Sequence, residues 1–145
     1  MIATIRKMGP EDAPQVLDMM RIFYASDAVL SNGSEEIFLA DIENCVNDSP
    51  YLEGFVLETP EELCGYCMIA KSFSTEFGKR CIWIEDLYLK EPYRGLGLGS
   101  RMLQFVTDLF PDCILRLEAE AENRRAIAVY EKNGFKPLPY LELKK

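Results

Sequence analysis

Apolar positions recur along the chain with two periods, one near 2 and one near 3.6, and each change of period marks an element boundary. Residues 2–6 read as a short strand. Gly9-Pro10-Glu11-Asp12 then opens a helix, with proline in the first turn and acids against the positive end of the dipole. Ala13, Val16, Leu17, Met20, Phe23 and Tyr24 give that helix its apolar stripe. The pattern breaks between Tyr24 and Gly33. Ser34, followed by Glu35 and Glu36, caps a second helix through Asn47, with Phe38, Ile42 and Cys45 inward, and Asp48-Ser49-Pro50 stops it. Two antiparallel strands follow, residues 51–57 and 63–71, joined by Glu58-Thr59-Pro60-Glu61-Glu62.

A polar loop over residues 72–79 leads into residues 82–89, a run dense in Ile, Trp, Leu and Tyr that predicts a strand. A glycine-rich turn, residues 90–99, separates it from a helix over residues 100–110, whose apolar face carries Leu98, Met102, Phe105, Val106 and Leu109. Pro111-Asp112 restarts the chain as a buried strand, residues 113–117. Asn123 begins another helix that ends at Asn133-Gly134. Residues 135–143 are predicted as a last strand, at an edge because Pro137 and Pro139 interrupt it. No repeat or linker divides the chain. The order predicts one domain over residues 1–145, an α/β (α+β) fold with a mixed sheet covered on both faces.

The strand, glycine turn and helix around residues 82–110 form an anion site. Gly95, Gly97 and Gly99 let the backbone approach a ligand, and the free N–H groups at the helix start favour a phosphate or pyrophosphate. A P-loop is disfavoured, since no Lys-Ser or Lys-Thr follows the last glycine. A dinucleotide fingerprint has more in its favour, because Gly95-x-Gly97 follows a strand and Glu118 lies about 20 residues on. Against it, Ser100 stands where the third glycine is needed, the turn before Gly95 is long, and only 56 residues follow Leu89, too few for a doubly wound sheet.

Arg94-x-x-Gly97-x-Gly99, after a strand and opening a helix, resembles the acyl-CoA pyrophosphate loop of the GNAT superfamily of N-acetyltransferases. Asn123-x-x-Ala126-x-x-x-Tyr130-x-x-x-Gly134-Phe135 resembles that family's second signature, and together the two blocks cover residues 83–136. The resemblance implies a mixed, mostly antiparallel sheet of six to seven strands and acetyl-CoA (coenzyme A) as acyl donor, without a metal. It implies cofactor contacts from Leu87, Tyr88, Leu89, Arg94, Gly95, Leu96, Gly97, Leu98, Gly99, Ser100, Asn123, Ala126 and Tyr130.

Composition narrows the partners. Sixteen Lys and Arg against twenty-four Asp and Glu give a net charge of −8, which argues against nucleic acid or an anionic membrane and is compatible with a cationic small molecule. With no apolar run near the roughly 18 residues a membrane helix needs, a soluble cytoplasmic protein is expected, a homodimer being one assembly open to it. The five cysteines form no even framework. Cys64 and Cys67 have redox or zinc spacing, but in a strand residues three apart point to opposite faces and the chain has no histidine, so core packing is expected of them.

Acyl transfer to an amine needs a base, because the amine is protonated below a pKa of about 10; it also needs a donor for the oxyanion and a proton for the departing thiolate. Strand alternation places Trp83, Glu85, Leu87 and Leu89 on one face, which sets the Glu85 carboxylate among apolar groups that raise its pKa toward that of a useful base. Asp86 is the alternative, since one β-bulge would exchange the faces. The resemblance supports Glu85 as the base and assigns Tyr130 to protonate the coenzyme A sulfur, the Leu87 N–H to polarise the thioester and the Leu89 backbone to pair with pantetheine. It also puts Tyr24, Asp27 and Ser31, in the loop between the first two helices, at the wall of the acceptor pocket beside Glu85. The function expected is direct acetyl transfer to a primary amine of a small molecule in a ternary complex. The alternative is a catalytically silent domain of the same fold that binds an acyl-CoA or a protein partner.

Overall fold

A computed structural model describes residues 2–145. Five strands form one sheet in the order β1-β2-β3-β4-β5: β1 (Thr4–Lys7), β2 (Leu52–Glu58), β3 (Leu63–Ser74), β4 (Lys79–Leu89) and β5 (Ile114–Leu117). The first four are antiparallel neighbours, and β5 lies parallel to β4. A parallel neighbour requires a crossover, which helix α3 (Leu98–Leu109) supplies.

Helices cover both faces, as the two apolar periods predict. On one side α1 (Ala13–Tyr24) and α2 (Glu35–Val46) bury Val16, Met19, Met20, Phe38, Ile42 and Cys45 against Val56, Tyr66, Met68 and Tyr88. On the other, Leu98, Met102, Leu103 and Val106 of α3 pack on Phe55, Leu57, Ile69, Ile82 and Ile84, with Val129 and Tyr130 of α4 (Arg124–Lys132) against the same cluster. Ser34 caps α2 as predicted, its Oγ accepting from the Ile37 N–H at 3.2 Å.

The strand count is five among the described residues, not the six to seven expected. The segment predicted as a last strand, residues 135–143, takes no regular structure. Pro137 and Pro139 each remove a backbone donor, and the neighbouring edge strand β5 is only 4 residues long. The segment is held instead by its side chains, the Tyr140 hydroxyl donating to Glu76 in the β3–β4 turn.

Two register shifts change which side chains face which helices. Between β2 and β3, Leu57 pairs with Gly65 and Glu58 with Leu63, so Cys64 is the extra residue. The bulge turns Cys64 and Cys67 to the same face, where strand alternation alone predicts opposite ones; both are buried in the cluster under α3. Between β3 and β4, Met68 pairs with Asp86 and Ile69 with Ile84, leaving Glu85 as the extra residue. No helix among the described residues is long and apolar enough to cross a membrane.

Candidate active site

The bulge at Glu85 corrects the predicted face. Ile82 and Ile84 before it, and Leu87 and Leu89 after it, all pack with the α3 cluster, whereas Asp86 and Tyr88 turn toward α1 and α2. Trp83 and Glu85 therefore do not share a face with Leu87 and Leu89. Asp86 is 4% exposed, and each of its oxygens accepts from a phenol: Oδ1 from Tyr24 at 2.8 Å and Oδ2 from Tyr66 at 2.8 Å. Burial pushes its carboxyl up, and the Tyr66 and Tyr24 hydroxyls pull against that shift. Glu85 remains exposed at the crest of the bulge. Its carboxyl is raised by partial desolvation first, then by the negative charges of Asp86, Asp41 and Glu142.

Asp41 is a member of this group that sequence reasoning missed. It lies on α2, half-buried, and desolvation together with the Asp86 charge pushes its pKa up to about 6. The signal was an acid three residues after Phe38 and next to Ile42, on the helix face those two bury. Of the expected acceptor-wall residues, Tyr24 reaches the bulge and stacks against Phe38 with ring centroids 5.0 Å apart. Asp27 and Ser31 stay exposed in the α1–α2 loop, outside that hydrogen-bonded group.

Beside Glu85 the sheet opens. Pairing between β4 and β5 ends at Ile84 with Leu117, while β4 runs on to Leu89. The Lys90 N–H donates to the Cys64 carbonyl at 2.9 Å, toward β3, and the ladder from Asp86 to Leu89 is regular. Strand alternation therefore turns the Leu87 and Leu89 N–H groups into the gap that β5 leaves. The Leu89 carbonyl faces the same way and accepts from Arg94 Nε at 2.8 Å. Gly65 makes this close β3–β4 approach feasible, since a Cβ there would sit 2.6 Å from the Tyr88 carbonyl oxygen.

At the end of β4 the chain turns through Glu91-Pro92-Tyr93 into the glycine loop. Glu62, in the β2–β3 connection, ties this turn down by accepting from Lys90 Nζ at 2.7 Å and the Tyr93 hydroxyl at 2.9 Å. Gly95 has φ +77° and Gly97 φ +80°, both left-handed, and a Cβ on Gly97 would touch nothing, so backbone conformation rather than space selects glycine there. Gly97 is the N-cap of α3 and brings no side-chain acceptor, so the N–H groups of Leu98, Gly99 and Ser100 have no partner within the helix. Arg94, its guanidinium 5.5 Å from the Tyr88 ring, flanks this helix start. Arg125, whose Nη2 lies 3.5 Å from a Cβ built on Gly95, adds a second cation that the sequence reading did not weigh. Leu96 is exposed on the loop. A pyrophosphate fits here by backbone conformation, dipole and charge.

The second signature closes the other side. The Asn123 side chain caps α4 by accepting from the Ala126 N–H at 3.3 Å, and Tyr130 sits one helical turn beyond Ala126, edge-to-face with Phe135. Tyr130 belongs to the cluster of Leu87 and Leu89. Burial first, and then Cys67, the ladder partner of Leu87, raise the Tyr130 phenol and keep it protonated through the neutral range.

Comparison with known proteins agrees with this architecture. Residues 17–135 match the model of the Acetyltransferase (GNAT) family. The chain is 32% identical over 151 aligned positions to a thialysine N-epsilon-acetyltransferase of Sus scrofa, covering 95% of this chain and 86% of that one. It is 30% identical over 138 positions to the uncharacterized N-acetyltransferase YhfO of Bacillus subtilis (strain 168), covering 90% and 88%. Among solved structures, a possible acetyltransferase from Clostridium difficile 630 superposes with a TM-score of 0.84 at 16% identity, over 100% of this chain and 97% of that one. The aminoglycoside N-acetyltransferase AAC(6')-Iy in complex with CoA superposes at 0.80 with 14% identity, over 99% and 94%. The chain therefore belongs to the GNAT family and is an acyl-CoA-dependent acetyltransferase.

Proposed function

We infer that the enzyme moves an acetyl group from acetyl-CoA to a primary amine of a small cationic molecule, with donor and acceptor bound together. The observation that carries this reading is the grouping of Asp41, Glu85 and Asp86 at the point where β4 leaves β5, beside a helix start suited to a pyrophosphate. None of these three carboxylates takes part in an ion pair among the described residues. Carboxylates gathered in partial burial favour a cation. The name of the Sus scrofa relative, which specifies the ε-amine of thialysine, points to the same acceptor class.

Acetyl-CoA supplies an activated thioester. The α3 start with Arg94 and Arg125 holds its pyrophosphate, with Leu96 and Ser100 in the same cradle, and the open edge at Leu87 and Leu89 receives the pantetheine arm. Asn123 and Ala126 act by setting where α4 begins, and Tyr88 by stacking under Arg94. Glu85 takes a proton from the acceptor ammonium, directly or through a water; the freed nitrogen lone pair attacks the acyl carbon; the carbon–sulfur bond breaks as the Tyr130 hydroxyl gives its proton to sulfur; and the second proton, which the nitrogen sheds on becoming an amide, restores the Tyr130 hydroxyl through solvent. The Leu87 N–H stabilises the negative charge on the acyl oxygen. Tyr24 forms the inner acceptor wall, with Asp27 and Ser31 at its outer rim.

Glu85→Gln tests the assignment. Removal of a base lowers kcat/KM most at low pH, where the amine is fully protonated, and raising the pH recovers part of the loss. An equal loss at every pH would reduce Glu85 to an electrostatic anchor for the acceptor.

A further inference from the structure

Asp86 is the most deeply buried carboxylate beside the site, yet it faces away from the gap in which Leu87 and Leu89 expose their N–H groups. Both of its oxygens are occupied by phenol donors, Tyr24 from the end of α1 and Tyr66 from β3, the arrangement that suits an ionised carboxylate. The register shift that lifts Glu85 out of the ladder lies immediately before Asp86, opposite Met68 and Ile69. A bulged residue is free to be re-aimed, and what fixes it is the anchoring of the residues on either side. On one side that anchor is Ile84, buried under α3; on the other it is Asp86, pinned by two hydroxyls from two different elements.

Taking Glu85 as the base, which is the reading given above, we propose that Asp86 is a positioning residue: locked by Tyr24 and Tyr66 beneath the bulge, it aims the Glu85 carboxylate at the acceptor. Tyr66, a core aromatic by burial, thereby acquires a part in the reaction. So does the end of α1, since Tyr24 couples the acceptor wall to the base. The groups that face Glu85 are Asp86 on its own strand, Asp41 on α2 and Glu142 in the C-terminal segment. Those that face Asp86 are Tyr66, Tyr24, Asp41 and the thiol of Cys45. Every charge in this set is negative, so neutralising Asp86 makes Glu85 a stronger acid and a weaker base.

The test is a carbon-13 titration of the glutamate Cδ and aspartate Cγ signals in the intact protein, with Glu85 assigned by its disappearance in Glu85→Gln. In the wild type, Glu85 should show a second inflection at the midpoint seen on Asp86 Cγ, because coupled carboxylates titrate as a pair. In Asp86→Asn the Glu85 midpoint should fall by about 0.5–2 pH units, and the acidic limb of kcat/KM should move down with it. Tyr66→Phe, which removes a donor and no charge, should raise the Asp86 midpoint. A single Glu85 inflection in the wild type would overturn the proposal without recourse to any variant, as would an unmoved midpoint in Asp86→Asn. If Glu85→Gln keeps the acidic limb while Asp86→Asn abolishes it, Asp86 is itself the base, and that result contradicts both this role and the assignment of Glu85. Loss of the limb in Glu85→Gln with no coupling to Asp86 contradicts this role alone.

Discussion

The Asn133 amide donates to the Ser100 hydroxyl at 2.9 Å, so the first residue after α4 is bonded to the first turn of α3. The same amide donates to the Val129 carbonyl at 2.8 Å and terminates its own helix. The helix that carries Tyr130 is in this way fixed to the helix whose start is proposed to bind the pyrophosphate. Asn133→Ala should cost about 1–2 kcal/mol by loss of these two bonds, roughly 3–6 °C in melting temperature. It should also raise the KM for acetyl-CoA more than that for the amine. Thermal unfolding and steady-state kinetics on the one variant check both.

At Gly97 two effects can be separated. Gly97→Ala meets only the strain of a left-handed φ, about 1–2 kcal/mol, and should weaken acetyl-CoA binding modestly. Gly97→Asp adds a negative charge at the helix start and should abolish binding while the fold persists, since nothing lies within reach of a Cβ there. Calorimetric titration of both variants with acetyl-CoA distinguishes them. Equal affinities would mean that the anion is bound elsewhere.

Tyr130→Phe keeps the ring packed against Phe135 and removes only the hydroxyl. If that hydroxyl supplies the proton to sulfur, kcat should fall about 10²- to 10⁴-fold with acetyl-CoA affinity little changed. Single-turnover kinetics would expose the defect in the chemical step. A variant with full turnover would leave the tyrosine as packing only.

Asp41 links stability to function. Its folded pKa of about 6 lies above the ordinary aspartate value, so the folded state binds more protons than the unfolded one between about pH 4 and pH 6. Its favourable contribution is complete below the unfolded pKa and is lost as pH rises through the folded one. Asp41→Asn removes that loss, and should stabilise the protein by about 1–2 kcal/mol at pH 8, with little effect near pH 4. The same variant should raise the KM for a cationic acceptor. Denaturant titrations at the two pH values, paired with acceptor kinetics at pH 8, read both effects.

The parts of the fold legible in the sequence are those specified by local signals. The glycines at 95 and 97 mark left-handed backbone, Ser34 and Asn123 are caps, and the stripe from Leu98 to Val106 is helical periodicity. The face of Glu85 was not legible, because a bulge is settled by the partner strand: the shift lies between Met68 and Ile69, 16 residues before Glu85 at the nearer of them. Cys64 escaped for the same reason, its bulge being defined against Leu57 and Glu58. Residues 135–143 read as an edge strand because Pro137 and Pro139 interrupt them, and the donors those two prolines lack leave the segment without regular structure. Arg125 became a candidate only when folding placed α4 beside the glycine loop.

Release of coenzyme A thiol from acetyl-CoA, measured with a panel of primary amines at pH 8, tests the central claim most directly. Small amines carrying a second positive charge, and amino acids with a distal amine, should drive release well above the hydrolytic background, and neutral amines of the same length should do so far less, because Asp41, Glu85 and Asp86 favour the added charge. Thermal stabilisation by acetyl-CoA together with release that no amine accelerates would contradict the account and leave an acyl-CoA-binding domain without turnover.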